Sequence, residues 1–260
     1  MVNNELSPLP LLAASGLCKS FGGIKAVEEA NIEVTKGSIT GLIGPNGAGK
    51  TTLFNLLSNF IHPDKGRVIF DGEPIHQLPS YKIAQQGLVR TFQVARALSK
   101  LSVLENMLLG AQKQTGENFW QVQFQPHIVA KEEKQLKERA MFLLESVGLE
   151  KKAADYAGGL SGGQRKLLEI GRALMTNPKL ILLDEPAAGV NPRLIDDISD
   201  RILSWNRNDG MTFLIIEHNM DVVMSLCDRV WVLAEGKNLA VGTPTEIQNN
   251  TKVLEAYLGQ

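Results

Sequence analysis

Ser38-Ile39-Thr40-Gly41-Leu42-Ile43-Gly44-Pro45-Asn46-Gly47-Ala48-Gly49-Lys50-Thr51-Thr52-Leu53 is the stretch on which the reading of this chain turns. A largely apolar run, Ser38 to Ile43, leads straight into a glycine loop. Lys50 to Ser58 then reads as a helix, because Leu53, Leu56 and Leu57 recur at helical spacing. Gly44, four residues, then Gly49-Lys50-Thr51 is the pattern of a phosphate-binding loop. Its glycines let backbone N–H groups curl around phosphates, and the helix aims its positive dipole end at them. In such a loop Lys50 reaches the β- and γ-phosphates and the Thr51 hydroxyl ligates Mg2+. A chance glycine-rich turn is the plain alternative; a buried strand before the loop and a helix after it argue against that. The loop predicts binding of Mg-ATP.

Further along, Leu180-Ile181-Leu182-Leu183 is an uninterrupted apolar run that ends in Asp184 and Glu185. Such a run suits a strand covered on both faces in a parallel sheet. Adjacent strand side chains point opposite ways, so the two acids can take separate tasks. Asp184 would hold magnesium through water, and Glu185 would act as general base on the attacking water. Acids at a strand end are often only solvated turn residues, but here they accompany a phosphate loop. One helix upstream stands Leu160-Ser161-Gly162-Gly163-Gln164. A serine before two glycines can cap a helix and offer bare N–H groups to an anion. Taken alone, it could equally be a plain cap for the helix Gly162 to Leu174.

The remaining chain predicts an α/β protein. Leu11 to Leu17, Ala30 to Val34 and Arg67 to Phe70 are short β-like runs bounded by turn residues. Lys131 to Val147 is a charged helix with an apolar stripe of Leu136, Ala140, Leu143, Leu144 and Val147. Before it, Ala111 to Ala130 is Gln-rich without a clear period and reads as an insertion or surface excursion. Leu194 to Trp205 and Met220 to Cys227 read as helices, Thr212 to Ile216 as a buried strand, and Arg229 to Leu233 with Asn238 to Val241 as a hairpin. Alternating strands and helices indicate an α/β core with a helical insertion in the middle.

Composition narrows the function classes. The chain has 260 residues, 43% hydrophobic and 21% charged, with a formal net charge of -1. No overall positive field would hold it on nucleic acid or anionic lipid. No stretch reaches the roughly eighteen apolar residues needed to cross a bilayer, and the N-terminus lacks the basic start of a secretory signal. A soluble, cytoplasmic protein is expected, with any membrane role exercised through a partner. Cys18 and Cys227 lie far apart and make no metal spacing, which fits two structural thiols in a reducing compartment. His62, His76 and His127 have no functional context and are expected at the surface.

The phosphate loop, Gln93, the LSGGQ segment, the LILLDE strand and His218, in that order and spacing, resemble the ATP-binding subunits of ABC transporters from Leu12 to about Leu258. That resemblance implies a P-loop NTPase core with an N-terminal antiparallel β subdomain and a helical insertion subdomain. It implies one ABC ATPase domain over 1–260, with a core lobe at about 1–90 and 166–260 and a helical signature lobe at about 91–165. It assigns Gly44, Pro45, Asn46, Gly47, Ala48, Gly49, Lys50, Thr51 and Thr52 to the nucleotide phosphates. Phe21 matches the aromatic that stacks on adenine, although a lone Phe is more often core, and Val27 is placed behind the ribose. Gln93 matches the glutamine that touches metal and water and links the site to the membrane partner; by itself a lone Gln is a surface residue. His218 matches the switch histidine at the γ-phosphate, against the plain reading of a satisfied core histidine. Thr51, Gln93 and Asp184 form the implied metal set. Ser161, Gly162, Gly163 and Gln164 are expected to meet the nucleotide of a second subunit, so the site is completed by dimerisation. Asn191, in Pro186-Ala187-Ala188-Gly189-Val190-Asn191-Pro192, stands where many relatives carry aspartate; it keeps the hydrogen-bonding capacity and loses the charge.

Val89-Arg90-Thr91-Phe92-Gln93, Glu217-His218-Asn219-Met220, the Pro-Ala-Ala-Gly after Glu185, Ala256-Tyr257-Leu258-Gly259 and the Gln-rich insertion are similar to ATPases of bacterial branched-chain and neutral amino-acid importers. Urea importers share much of this, as does the lipopolysaccharide-export ATPase apart from the insertion. The resemblance implies a second ABC ATPase subunit, transmembrane permease subunits, an indirect periplasmic substrate-binding protein and no nucleic acid. It places the protein peripherally on the cytoplasmic face of the inner membrane. A GTPase would need a guanine-reading Asn-Lys-x-Asp stretch, which the sequence lacks. Soluble ABC ATPases of repair or translation usually carry long coiled-coil insertions or two cassettes, and neither is seen.

Overall fold

The structure is a computed structural model that describes residues 9–91, 97–112 and 123–258. It divides into two compact units: Met1–Arg90 with Lys179–Ala187 and Ile202–Gln260, and Thr91–Pro178 with Ala188–Arg201. The first carries two sheets. In the antiparallel one, β1 (Pro10–Phe21) lies between β2 (Ile24–Thr35) and β4 (Lys65–Phe70), and β5 (Glu73–Pro74) closes the edge in the order β2-β1-β4-β5. The second has the order β10-β9-β3-β8-β7-β6, made of β3 (Ile39–Ile43), β6 (Leu88–Arg90), β7 (Leu180–Asp184), β8 (Thr212–Ile216), β9 (Arg229–Ala234) and β10 (Lys237–Gly242). Strands β9, β3, β8, β7 and β6 run parallel, and only β10 is antiparallel, to its hairpin partner β9.

Every residue of β3, β7 and β8 is buried, as their uninterrupted apolar runs require of strands covered on both faces. Helix α1 (Lys50–Leu57) supplies much of that cover: Leu53, Phe54, Leu56 and Leu57 are fully buried in a cluster with Leu12, Ile32 and Val34 of one sheet and Leu42, Leu182 and Leu214 of the other. Each such side chain contributes about 1.5–3 kcal/mol relative to exposure, so this seam between the sheets fixes the helix that carries Lys50 and Thr51. The register matters more for function. Leu42 pairs with Ile216, and Asp184 pairs with the same Ile216. The carboxyl ends of β3, β7 and β8 therefore lie level, and Gly44, Glu185 and Glu217 leave the sheet at one edge. Open parallel sheets bind ligands at that edge.

The second unit is helical. Helix α3 (Val103–Leu108) begins with a capping box in which the Ser102 hydroxyl accepts from the Glu105 N–H and the Glu105 carboxylate accepts from the Ser102 N–H. Buried Asn106 ties the preceding loop down, accepting from the Leu98 N–H and donating to the Leu98, Leu101 and Ser102 carbonyls. Helices α4 (Pro126–Ser146) and α5 (Gly162–Met175) pack with α3. The boundary expected at 165/166 falls inside α5; the helix stays whole in this unit because its buried face, including Leu167, Leu168, Ile170 and Leu174, packs against α3 and α4. Ala140, Leu144 and Val147 of the predicted stripe are fully buried. The helix itself begins earlier than predicted, with Pro126 at its first turn, where a missing N–H costs nothing. Residues 113–122 of the Gln-rich stretch lie outside the described residues. Helix α6 (Pro192–Asp209) contributes residues to both units, and α2 (Ser80–Gln86), α7 (Met220–Leu226), α8 (Pro244–Gln248) and α9 (Thr251–Leu258) belong to the first.

Candidate active site

The loop after β3 has a shape that only glycine permits at two points. Gly44 has φ 150°, and a Cβ there would lie 2.0 Å from the Leu233 carbonyl oxygen. Gly49 has φ 96°, and a Cβ there would lie 2.3 Å from the carbonyl oxygen of Ala26. Both contacts are with backbone, which cannot step aside. Within the loop the Ala48 N–H donates to the Pro45 carbonyl at 3.2 Å, and the Ala48 carbonyl accepts from Gly236 N–H at 3.0 Å. Lys50 is 6% exposed and its ammonium donates to the Gly44 and Pro45 carbonyls at 2.7 and 2.8 Å. Burial pushes its pKa down, and the nearby Glu185 charge pushes it partly back. The lysine thus spans its own loop with its charge held over the loop's rim.

A cleft of about 470 Å³ opens there, and among its walls are Lys25, Asn46, Gly47, Gly49, Lys50, Thr51, Thr52, Glu185, His218 and Glu235. Asp184 is the last residue of β7 and is buried, with Oδ2 2.8 Å from Arg90 Nη2. Glu185 does not continue the strand. Its φ is +50°, a left-handed conformation, and its N–H donates to the Ile216 carbonyl at 3.0 Å. The divergence of the two acids therefore comes from this turn, where strand alternation had been expected to supply it. Non-glycine residues in such conformations cost about 1–3 kcal/mol and gather at functional sites. Glu185 Oε1 lies 2.9 Å from His218 Nε2, within hydrogen-bonding distance. Glu217, 3% exposed, accepts from the Ala187 N–H at 2.7 Å and from the His218 N–H at 3.2 Å. It binds the turn after Glu185 to the turn that presents His218. Asn219 then caps α7 by accepting from the Asp221 and Val222 N–H groups.

The structure thus brings Asn46 to Thr52, Glu185 and His218 around one cleft, whose walls do not include the buried Asp184. Phe21 stands at the β1–β2 turn, 48% exposed, with the Lys19 ammonium 5.8 Å from its ring centroid, so it is not core. Val27 is 1% exposed within the core cluster, and the cleft wall there is formed by Ile24, Lys25 and Ala26. Gln93 lies outside the described residues. Sequence reasoning missed Arg90 and Glu217. Glu217 had one signal, a second acid beside His218 at the end of a fully apolar strand.

In the helical unit, Ser161 caps α5 in a reciprocal box with Gln164, the hydroxyl accepting from the Gln164 N–H at 3.2 Å and Gln164 Oε1 accepting from the Ser161 N–H at 3.0 Å. Ser161 and Gly162 are exposed. Gly163 is buried, and a Cβ there would lie 1.7 Å from Leu194 Cδ2. The structure shows the plain cap, with Ser161 and Gly162 open at the N-terminus of α5. Asn191 caps α6, its side-chain oxygen accepting from the Leu194 N–H at 3.0 Å. Asparagine does this as well as aspartate, so the missing charge leaves the local structure intact.

For a divalent ion, the Thr51 hydroxyl and Asp184 carboxylate are hard oxygen donors of the kind that suit Mg2+. Among the described residues no cluster of three or more His, Cys, Asp or Glu could hold an ion.

A parallel sheet with a glycine loop and lysine at its carboxyl edge, and an acid pair at the same edge two strands away, beyond β8, defines a P-loop nucleotide-binding protein. The sequence model of the ABC transporter family matches residues 27–188, and that of the branched-chain amino acid ATP-binding cassette transporter matches residues 237–260. The chain belongs to the ABC transporter family. It is 42% identical to the high-affinity branched-chain amino acid transport ATP-binding protein BraF of Pseudomonas aeruginosa, over 96% of this chain and 98% of that one. It is 43% identical to the probable branched-chain amino acid transport ATP-binding protein LivG of Archaeoglobus fulgidus, over 96% of each. A nucleotide-free ATP-binding cassette from an ABC transporter superposes with a TM-score of 0.84 at 40% identity, covering 97% of this chain and 100% of that one. A cassette in its ADP conformation superposes with a TM-score of 0.83 at 38% identity, covering 97% and 100%.

Proposed function

We infer that this chain is the ATP-binding and hydrolysing subunit of an importer for branched-chain or neutral amino acids. The observation that carries the substrate class is full-length similarity, at 39–43% identity, to proteins named for branched-chain amino acid transport. The match of residues 237–260 to the branched-chain cassette transporters agrees. The chemistry rests on the cleft. ATP phosphates sit on the N–H groups of Gly47 to Thr51, with Lys50 moving from its carbonyl partners to the β- and γ-phosphates. Thr51, Asp184 and Gln93 would hold Mg2+, which supplies charge neutralisation at the phosphates when bound. Glu185 takes a proton from water as the water oxygen bonds to the γ-phosphorus; the bond to the β-phosphate oxygen breaks, giving ADP and inorganic phosphate. His218 holds Glu185 by the 2.9 Å contact and stands beside the γ-phosphate. Phe21 offers its exposed face to adenine, and with Val27 buried the ribose falls to the wall at Ile24 to Ala26.

Ser161, Gly162, Gly163 and Gln164 serve the nucleotide of a second cassette, identical or related, so ATP closes a dimer and hydrolysis opens it. The dimer works on transmembrane permeases at the cytoplasmic face of the inner membrane, and a periplasmic substrate-binding protein delivers the cargo. Among the described residues no helix is long and apolar enough to cross a membrane. The test is uptake of radiolabelled leucine, valine and isoleucine by cells that carry the wild-type gene, Lys50→Ala, or neither. Loss of uptake in the last two supports the assignment. Unchanged amino-acid uptake with lost urea uptake, or with defective lipopolysaccharide export, replaces it by those relatives.

A further inference from the structure

Arg90 closes the short strand β6, and the chemistry just described makes no use of it. Its side chain is 5% exposed and forks between two elements. Nη2 donates to Asp184 Oδ2 at the end of β7, at 2.8 Å, and Nη1 donates to Asn55 Oδ1 on α1, at 2.6 Å. The guanidinium carbon lies 5.5 Å from the ring centroid of Phe54 and 5.8 Å from that of Phe60. One planar cation, set against two aromatic rings, therefore ties a carboxylate to the helix that opens with Lys50 and Thr51. Neutralising a buried acid needs only a positive charge, which lysine could bring. Holding Asn55 and Asp184 together needs two donors at a fixed angle, which only the guanidinium fork provides.

We propose that Arg90 is a positioning residue for metal binding: it sets the Asp184 carboxylate at a fixed place relative to the Thr51 hydroxyl, so that both oxygen donors are arranged before Mg-ATP arrives. Partners that orient a metal ligand in this way commonly account for about 10- to 100-fold in metal affinity. The proposal rests on the reading of Asp184 as the metal acid. The experiment measures the affinity of the purified chain for a fluorescent ATP analogue in EDTA and across a MgCl2 titration, for wild type, Arg90→Lys and Asn55→Ala. In Arg90→Lys the metal-free affinity should stay within about twofold of wild type, while the Mg2+ concentration for half-maximal effect rises about tenfold. Asn55→Ala, which leaves the ion pair in place and frees one arm of the fork, should show a smaller rise in the same direction. A Mg2+ midpoint within twofold of wild type in both variants overturns the proposal, as does an equal loss of affinity with and without metal, which marks a merely structural role. A wild type whose ATP affinity ignores Mg2+ while ATP still binds overturns the metal reading of Asp184 and the role of Arg90 with it.

Discussion

Glu185 shows how much one residue's setting decides. It leaves β7 through a left-handed turn, hydrogen-bonds with His218, and lines the cleft beside Lys50. Glu185→Gln keeps the shape of the side chain and removes its capacity as a base. Phosphate release should fall by on the order of a hundredfold or more while ATP affinity holds; wild-type turnover by this variant would remove Glu185 from the base role. Lys50→Ala acts on binding instead, and unchanged ATP affinity in that variant would count against the phosphate loop. The two cysteines give a separate prediction. Burial, with Asp228 and Glu217 adding repulsion, pushes the Cys227 thiol up to about 12 from an ordinary 9.0, so it stays protonated and inert at pH 8. A thiol reagent should therefore find no more than Cys18 in the native protein and both cysteines after unfolding. A proton held more tightly in the folded state favours folding up to about pH 9, and that advantage fades as pH rises toward about 12. Two fast-reacting thiols at pH 8 would contradict the burial.

At the scale of elements, caps and strand runs were the readable parts. Removing the Ser161 hydroxyl breaks one arm of the capping box on α5. Ser161→Ala should lower the stability of the helical unit by about 1 kcal/mol, seen as a shifted denaturant midpoint; a change below a few tenths would show the box contributes little. Strand β8 matches its predicted span, and β7 and α5 come within a residue, because an unbroken apolar run or a strong helical stripe leaves few alternatives. Strands β1 and β2 are longer than predicted, since their ends alternate polar residues and shift register between Ala14 and Ser20. Helix α2 escaped notice because it buries only Ile83, and no period can be read from one residue. Arg90 was illegible for a different reason. Its three-residue strand has no pattern, and its partners Asn55 and Asp184 are 35 and 94 residues away.

For the whole molecule, the phosphate loop and the LSGGQ segment are both legible in the sequence, and they fall in different compact units. The phosphate loop, Glu185 and His218 belong to one compact unit, and Ser161 to Gln164 to the other. If the signature residues serve a second subunit, ATP must change the mass of the particle. Sedimentation of Glu185→Gln should show a dimer with Mg-ATP and a monomer without it, and Lys50→Ala should remain monomeric in both. A Glu185→Gln protein that stays monomeric in the presence of bound ATP would confine the site to one chain.

The phosphate loop has a last lesson. Its motif is eight consecutive residues, yet its curvature is moulded from outside: the Ala26 carbonyl of β2 presses where Gly49 has no side chain, the Leu233 carbonyl of β9 presses at Gly44, and Gly236 grips Ala48. A peptide copied from residues 39–57 would carry every letter of the motif and none of the mould. Transplanting this loop into another protein therefore means carrying two foreign strands with it.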